Sequence, residues 1–242
     1  FAAKLDFQIS PETRAPIGDL SHLLLSIPPA RLFDEVLKLL MSGHGAASLE
    51  YLKQFDLLKY LLPETDACLA ADESGMAGRL LAQAMVNTDA RLAANKPVTP
   101  GFLFAALLWP PMRAEEQRMR DAGDEEPHTI HNRAAGKILS SQVQSVAMPR
   151  RFSQMARDIW AMQNRLERRR RKDAIALVDH PRFRAAYDFL LLRSEAGEPV
   201  TDLALWWTEF QTRSPEGREE VIKALPGRAG RRRVSRRRPR VA

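Results

Sequence analysis

The sequence has a single cysteine, Cys68, so no intrachain disulfide can stabilise the fold. No apolar run approaches the roughly 20 residues that a membrane-spanning helix needs. The opening FAAKLDFQIS has neither a basic start nor a long apolar stretch, so it does not read as a secretory signal. A reducing, cytoplasmic setting and no membrane partner are therefore expected. Aromatic residues make up only 7%, and no segment alternates apolar and polar residues with a period of two. That pattern argues against a sheet-based core.

Catalytic signatures are also missing. The sequence contains no G-x-x-x-x-G-K-[ST], G-x-G-x-x-G or H-E-x-x-H pattern, and no D-x-D pair of the kind that chelates catalytic Mg2+. His128 and His131 are three residues apart with no further Cys or His nearby, which is too little for a metal site. Asp124, Glu125 and Glu126 lie in a Gly/Pro-containing loop and read as solvated acids. No catalytic or metal-ligating residue is assigned.

What is present is helical periodicity. Apolar residues recur at i, i+3, i+4 and i+7, and Ala, Leu and Arg are frequent. The fold class is all-α. Helices are expected over ARLFDEVLKLL after Pro28–Pro29, over about 46–62, 75–94 and 100–120 with a break at Pro110–Pro111, and near 130–146, 150–172, 181–195 and 200–213. Gly43 serves as a left-handed stop. Trp206, Trp207 and Phe210, with Leu203, form a stripe expected to pack in a core, and Cys68 reads as a structural bystander.

The formal net charge of +7 is unevenly distributed. Residues 150–184 hold 11 Lys/Arg against 4 Asp/Glu, and residues 227–242 hold 8 against none; the rest of the chain is net acidic. Same-sign blocks of this kind suit a polyanionic partner. On a helical wheel over 150–172, Phe152, Met155, Ala156, Ile159, Met162 and Leu166 occupy one side. Arg150, Arg157, Arg165, Arg168 and Lys172 occupy the other. At ~1.5 Å per residue this stripe is about 34 Å long. Arg151 and Arg169 extend the cationic set. Arg170 would face the apolar side of such a helix. In the tail, Arg231, Arg232, Arg233, Arg236, Arg237 and Arg238 have no acidic neighbour. Guanidinium binds phosphate in a planar, bidentate way, and the tail carries no aromatic for base stacking. Disorder and binding to nucleic acid without sequence preference are expected of it.

Several blocks closely resemble the bacterial poly(A) polymerases, of the class II nucleotidyltransferase family shared with CCA-adding enzymes. They are FAAKLDFQISPETRAPI, LLSIPPARLFDEVLKLLMSGHG, FLFAALLW, MPRRFSQMARDIW, HPRFRAAYDFLLLRSE and WWTEFQ, followed by the arginine-rich end. The later blocks and the tail favour poly(A) polymerase over the CCA-adding enzymes. The resemblance implies a helical neck and body behind a catalytic head, transferring AMP from ATP with Mg2+ to RNA 3′ ends. It identifies Arg31 and Glu35 as a neck pair of structural role, and RNA-decay or helicase proteins as candidate partners. FAAKL reads as the end of a helix begun upstream, so a chain truncated behind its head is expected, without ATP or Mg2+ of its own and inactive alone. The expected domains are a neck at 1–62, a body at 63–226 and a disordered tail at 227–242. A non-enzymatic, arginine-tailed RNA adaptor and the body of a CCA-adding enzyme are the alternatives.

Overall fold

The structure, a computed structural model, describes residues 1–224 apart from 124, 125, 169 and 170. Among the described residues the regular structure is helical throughout. Helices α1 (Ala2–Leu5) and α2 (Pro11–Leu20) lead through a 3-10 segment, Ser21–Ser26, into α3 (Pro29–Leu40). There follow α4 (Gly45–Gln54), α5 (Leu58–Leu61), α6 (Pro63–Ala71) and α7 (Met76–Ala93). The middle of the chain forms α8 (Pro100–Leu107), α9 (Trp109–Asp121), α10 (Pro127–Ser145) and α11 (Arg150–Arg168). The last four are α12 (Arg171–Val178), α13 (Phe183–Glu195), α14 (Thr201–Thr212) and α15 (Pro215–Ala224).

Local chemistry sets the boundaries. Helix α3 starts at Pro29, where the missing N–H costs nothing, and buries Leu32, Phe33, Val36 and Leu40 as one stripe. Gly43, at φ +84°, turns the chain, and α4 begins two residues later. A side chain at position 45 would lie 2.6 Å from the Leu40 carbonyl oxygen, so only glycine fits there. The α4 N-terminus is capped from another helix: Asp89 of α7 accepts from the Gly45 N–H at 2.7 Å and the Ala46 N–H at 2.9 Å.

The helix expected over about 46–62 is divided. Asp56 takes a left-handed conformation, φ +54°, and the Leu57 N–H bonds back to the Leu52 carbonyl at 2.9 Å. This is a Schellman-type ending with Asp in place of the usual Gly. Pro110 and Pro111 do divide the region at 100–120, but the break falls at Leu108, because the prolines open α9 rather than close α8. Helices α2, α6 and α15, each with a proline at its first turn, were not anticipated.

The buried apolar residues form two clusters. The first takes residues from α3, α4, α5, α7, α8, α9, α10 and the first half of α11, with Phe189 and Leu192 of α13. Leu58, Leu61 and Leu62 lie in the same cluster as Leu80 and Leu107. The second joins Met162 and Leu166 of α11 to Ala174 and Leu177 of α12, Phe183 and Leu190 of α13, Trp207 and Phe210 of α14, and Ile222 of α15. Helix α11 is thus a wall of both. Its Trp160 indole N–H donates to the Ala105 carbonyl at 3.0 Å in the first cluster. Its Leu166 carbonyl accepts from the Trp207 indole at 3.1 Å in the second.

Arg193, 4% exposed, stands where the clusters meet. Its Nε donates to Glu198 at 2.8 Å and its Nη1 to Gln163 at 3.0 Å, while Glu167 lies at 3.4 Å. The guanidinium sits 4.8 Å from the Trp109 ring centroid, and the Trp109 indole donates to the same Glu198 at 2.9 Å. Removing one partner of a buried ion pair strands the other charge. Arg193→Ala should therefore cost about 3–5 kcal/mol in urea denaturation. Asp89→Ala, which removes only a cap, should cost about 1 kcal/mol by the same measurement.

Candidate nucleic-acid interface

Helix α11 runs for 19 residues, about 28 Å, with Ala156, Ile159, Trp160, Met162, Gln163 and Leu166 buried. The buried face is wider than the apolar residues alone suggested, because Trp160 adds to one edge. Arg157 borders that edge and is half-buried, its guanidinium nitrogens 3.9 Å from where a side chain at Gly136 of α10 would begin. Arg150, Arg151, Arg165 and Arg168 are exposed. Arg151 lies over the Phe152 ring at 4.6 Å from its centroid.

Of the two acids of α11, Glu167 lies beside the buried face, whereas Asp158 shares the flank of Arg151 and Arg165, seven residues from each, and both acids are paired elsewhere. Asp158 pairs with Arg182 at 3.5 Å, and Glu167 pairs with Arg193. Among the described residues, no carboxylate forms a salt bridge with Arg150, Arg151, Arg165 or Arg168. The outward face is therefore an uncompensated row of guanidinium groups on a helix held rigidly by its buried side. Such a row can neutralise successive phosphates of a nucleic-acid backbone while reading no base. Arg169, the side chain of Lys172, and Arg231, Arg232, Arg233, Arg236, Arg237 and Arg238 lie outside the described residues, as does Arg170.

The neck pair is arranged differently from a simple i, i+4 bridge. Glu35 accepts from Lys38 Nζ at 2.8 Å, and this contact, with a smaller contribution from Arg31, holds its carboxyl below the usual carboxylate range. Both Arg31 and Glu35 are exposed on α3, opposite its buried stripe. Trp207 and Phe210 are buried in the second cluster, and half-buried Trp206 stacks on Phe210 with centroids 4.6 Å apart. Cys68 is half-buried, and burial pushes its thiol up, which suits an inert residue.

One ionic cluster went unread in the sequence. Glu116 of α9, 1% exposed, is gripped by Arg113 at 2.6 Å and by Arg120, with His131 Nδ1 of α10 at 3.5 Å. Burial alone would raise the Glu116 carboxyl, but His131 and the two guanidinium groups outweigh it and leave it lowered. Glu115 accepts from Arg118 at 2.5 Å and from Lys137 of α10 at 3.0 Å. The i+3 and i+4 arginines around Glu115 and Glu116 were the available signal. The cluster pins α9 to α10, and its carboxylates are occupied by cations. Among the described residues, no group of three His, Cys, Asp or Glu could hold a metal ion.

The contact with Arg118, aided by Lys137, lowers the Glu115 carboxyl from 4.5 to about 2. Its stabilising effect is therefore complete above about pH 4.5 and is lost as the pH falls towards 2. Glu115→Gln should flatten the loss of stability between pH 5 and pH 3 in denaturation curves. An unchanged pH dependence would show that the pair contributes nothing.

Comparison with known proteins follows this geometry. The family model described as "Polymerase A arginine-rich C-terminus" matches residues 123–241, which include α11 and the basic tail. The model described as "Probable RNA and SrmB- binding site of polymerase A" matches residues 6–69. Poly(A) polymerase I of Escherichia coli O6:H1 is 38% identical over 239 residues, covering 98% of this chain and 51% of that protein. Its counterpart in Salmonella typhi is 39% identical over 227 residues, covering 93% and 49%. That of Haemophilus influenzae is 37% identical over 224 residues, covering 92% and 50%. The chain spans about half the length of the curated relatives it matches. With the two models matching residues 6–69 and 123–241 and the relatives aligned over 92–98% of its length, the chain belongs to the bacterial poly(A) polymerase family.

Proposed function

We propose that this chain is the RNA-holding part of a poly(A) polymerase, an enzyme that adds AMP from ATP to RNA 3′ ends. The observation that carries this reading is the pairing of charge on α11, whose acids are taken up by Arg182 and Arg193 while four exposed arginines keep an open row. The tail arginines would add a second, sequence-independent grip on the RNA backbone. Arg31 and Glu35 would serve the neck structurally, through the charge pattern of α3 rather than through contact with substrate. SrmB, named in the description of the model at residues 6–69, is a further candidate partner.

Adenylyl transfer needs ATP and Mg2+, and no residue of this chain is proposed to hold either. The buried acidic pair of α9, Glu115 and Glu116, is already neutralised by Arg113, Arg118, Arg120 and Lys137. No step of the reaction is assigned to this chain, and its part is to position RNA by phosphate contacts. Broad substrate choice follows, because phosphates carry no sequence information.

Fluorescence anisotropy with a labelled single-stranded RNA tests the reading. Each phosphate contact adds about 0.7 to the slope of log affinity against log salt. Changing Arg150, Arg151, Arg165 and Arg168 together to Gln should reduce that slope by about 2–3 and weaken binding at low salt. Helicity should be unchanged, since all four side chains are exposed. Equal affinity and slope in the variant would reduce the row to a solvated face.

A further inference from the structure

A cleft of about 590 Å3 opens between α7, the 94–99 loop, the start of α8 and α13. Its size falls within the range of small-molecule sites. The floor is apolar, made by Phe102, Met155 and Leu192, and the rim carries Arg91, Lys96 and Arg184. Met155 belongs to α11 and lies one helical turn from Arg151, so one wall of the cleft is the flank of the cationic row.

The rim is only partly neutralised. Arg184 pairs with Asp188 at 2.9 Å, while Glu195 receives only the neutral Asn87 amide at 2.7 Å and keeps its charge, so the lining carries one net positive charge. Arg91 donates to the Pro97 carbonyl at 3.0 Å, a neutral partner that leaves its charge in place. Lys96 is exposed beside it. An apolar floor with an aromatic ring, cations at the mouth and a phosphate-binding helix along one wall together match the parts of a single nucleotide. The floor suits a base, and Arg91 and Lys96 suit its phosphate.

We propose that this cleft accepts one unstacked nucleotide of the RNA held along α11, its base resting on Phe102 and Met155. The inference rests on the RNA-holding function proposed above and adds a contact to it. A pure phosphate row would hold any polyanion with similar strength. With the cleft, the chain distinguishes a strand that bears bases from a bare sugar-phosphate backbone. Single-stranded RNA is favoured over duplex, because only an unpaired base can turn out of the strand.

The test uses the full chain with two labelled ligands, a ten-nucleotide RNA and an abasic sugar-phosphate strand of equal length. The native chain should bind the RNA about 10-fold more tightly, in line with the contribution of one stacked base. Ala185→Phe fills the cleft from α13, where Ala185 is half-buried on its lining. This variant should bind RNA only as tightly as the abasic strand, with the abasic affinity and the salt slope unchanged. Thr99→Ile, at an exposed rim position whose hydroxyl meets Met155 Sδ at 3.6 Å, narrows the same cleft without adding an aromatic ring, should do the same, and replaces Ala185→Phe if that variant melts early. Equal binding of the two strands by the native chain, or undiminished RNA binding by a folded variant, overturns the base pocket and leaves the phosphate row standing. Failure of the native chain to bind either strand overturns both.

Discussion

Helix α11 has one side buried in two cores, and most of the architecture depends on that. Ile159 and Trp160 close the first cluster, while Met162 and Leu166 open the second, only a turn further on. Rotating the helix would expose both sets at once, so its rotational setting is over-determined. The direction in which Arg150, Arg151, Arg165 and Arg168 point is therefore a consequence of apolar packing. Their mutual repulsion would favour dispersal, and it is overcome because the same helix carries enough buried surface to hold them together.

The ionic groups of the interior complete this arrangement. Arg193 ties Gln163 and Glu167 of α11 to Glu198 beyond α13, with the Trp109 ring beneath it. By engaging Glu167 from the α13 side, it takes up an acid that would otherwise be free to pair with Arg168 or its neighbours. Arg182 does the same for Asp158. These structural ion pairs thus leave the exposed arginines of α11 without an acidic partner among the described residues. The Glu115–Glu116 cluster acts separately, locking α9 against α10.

The chain's helical character, the stripe of α3, the break near Pro110 and the burial of Trp207 were all legible, because each depends on local periodicity or on proline. The division at Asp56 was not, since a left-handed Asp carries no distinctive local signal. Nor was the Asp89 cap, which joins residues 44 apart in sequence. On α11 the wheel placed the arginines opposite the apolar residues correctly, yet it left Trp160 off the buried face and so showed Arg157 as freely exposed. The neck pair was read as i, i+4, whereas Lys38 competes successfully for Glu35 at i+3. The cleft by Phe102 could not be foreseen, because it is assembled from α7, α8, α11 and α13.

Charge and packing together support the holding role proposed for the chain: a cationic row on a packed helix, a proposed base pocket on its flank and an arginine-rich end to the sequence. The most direct test is arginine-specific modification of the full chain with phenylglyoxal, with and without bound RNA, read out residue by residue by mass spectrometry. The account predicts that RNA protects Arg150, Arg151, Arg165 and Arg168 while Arg79 and Arg213, exposed on α7 and after α14, react as before. RNA that binds yet leaves the α11 arginines as reactive as in the free chain would contradict it.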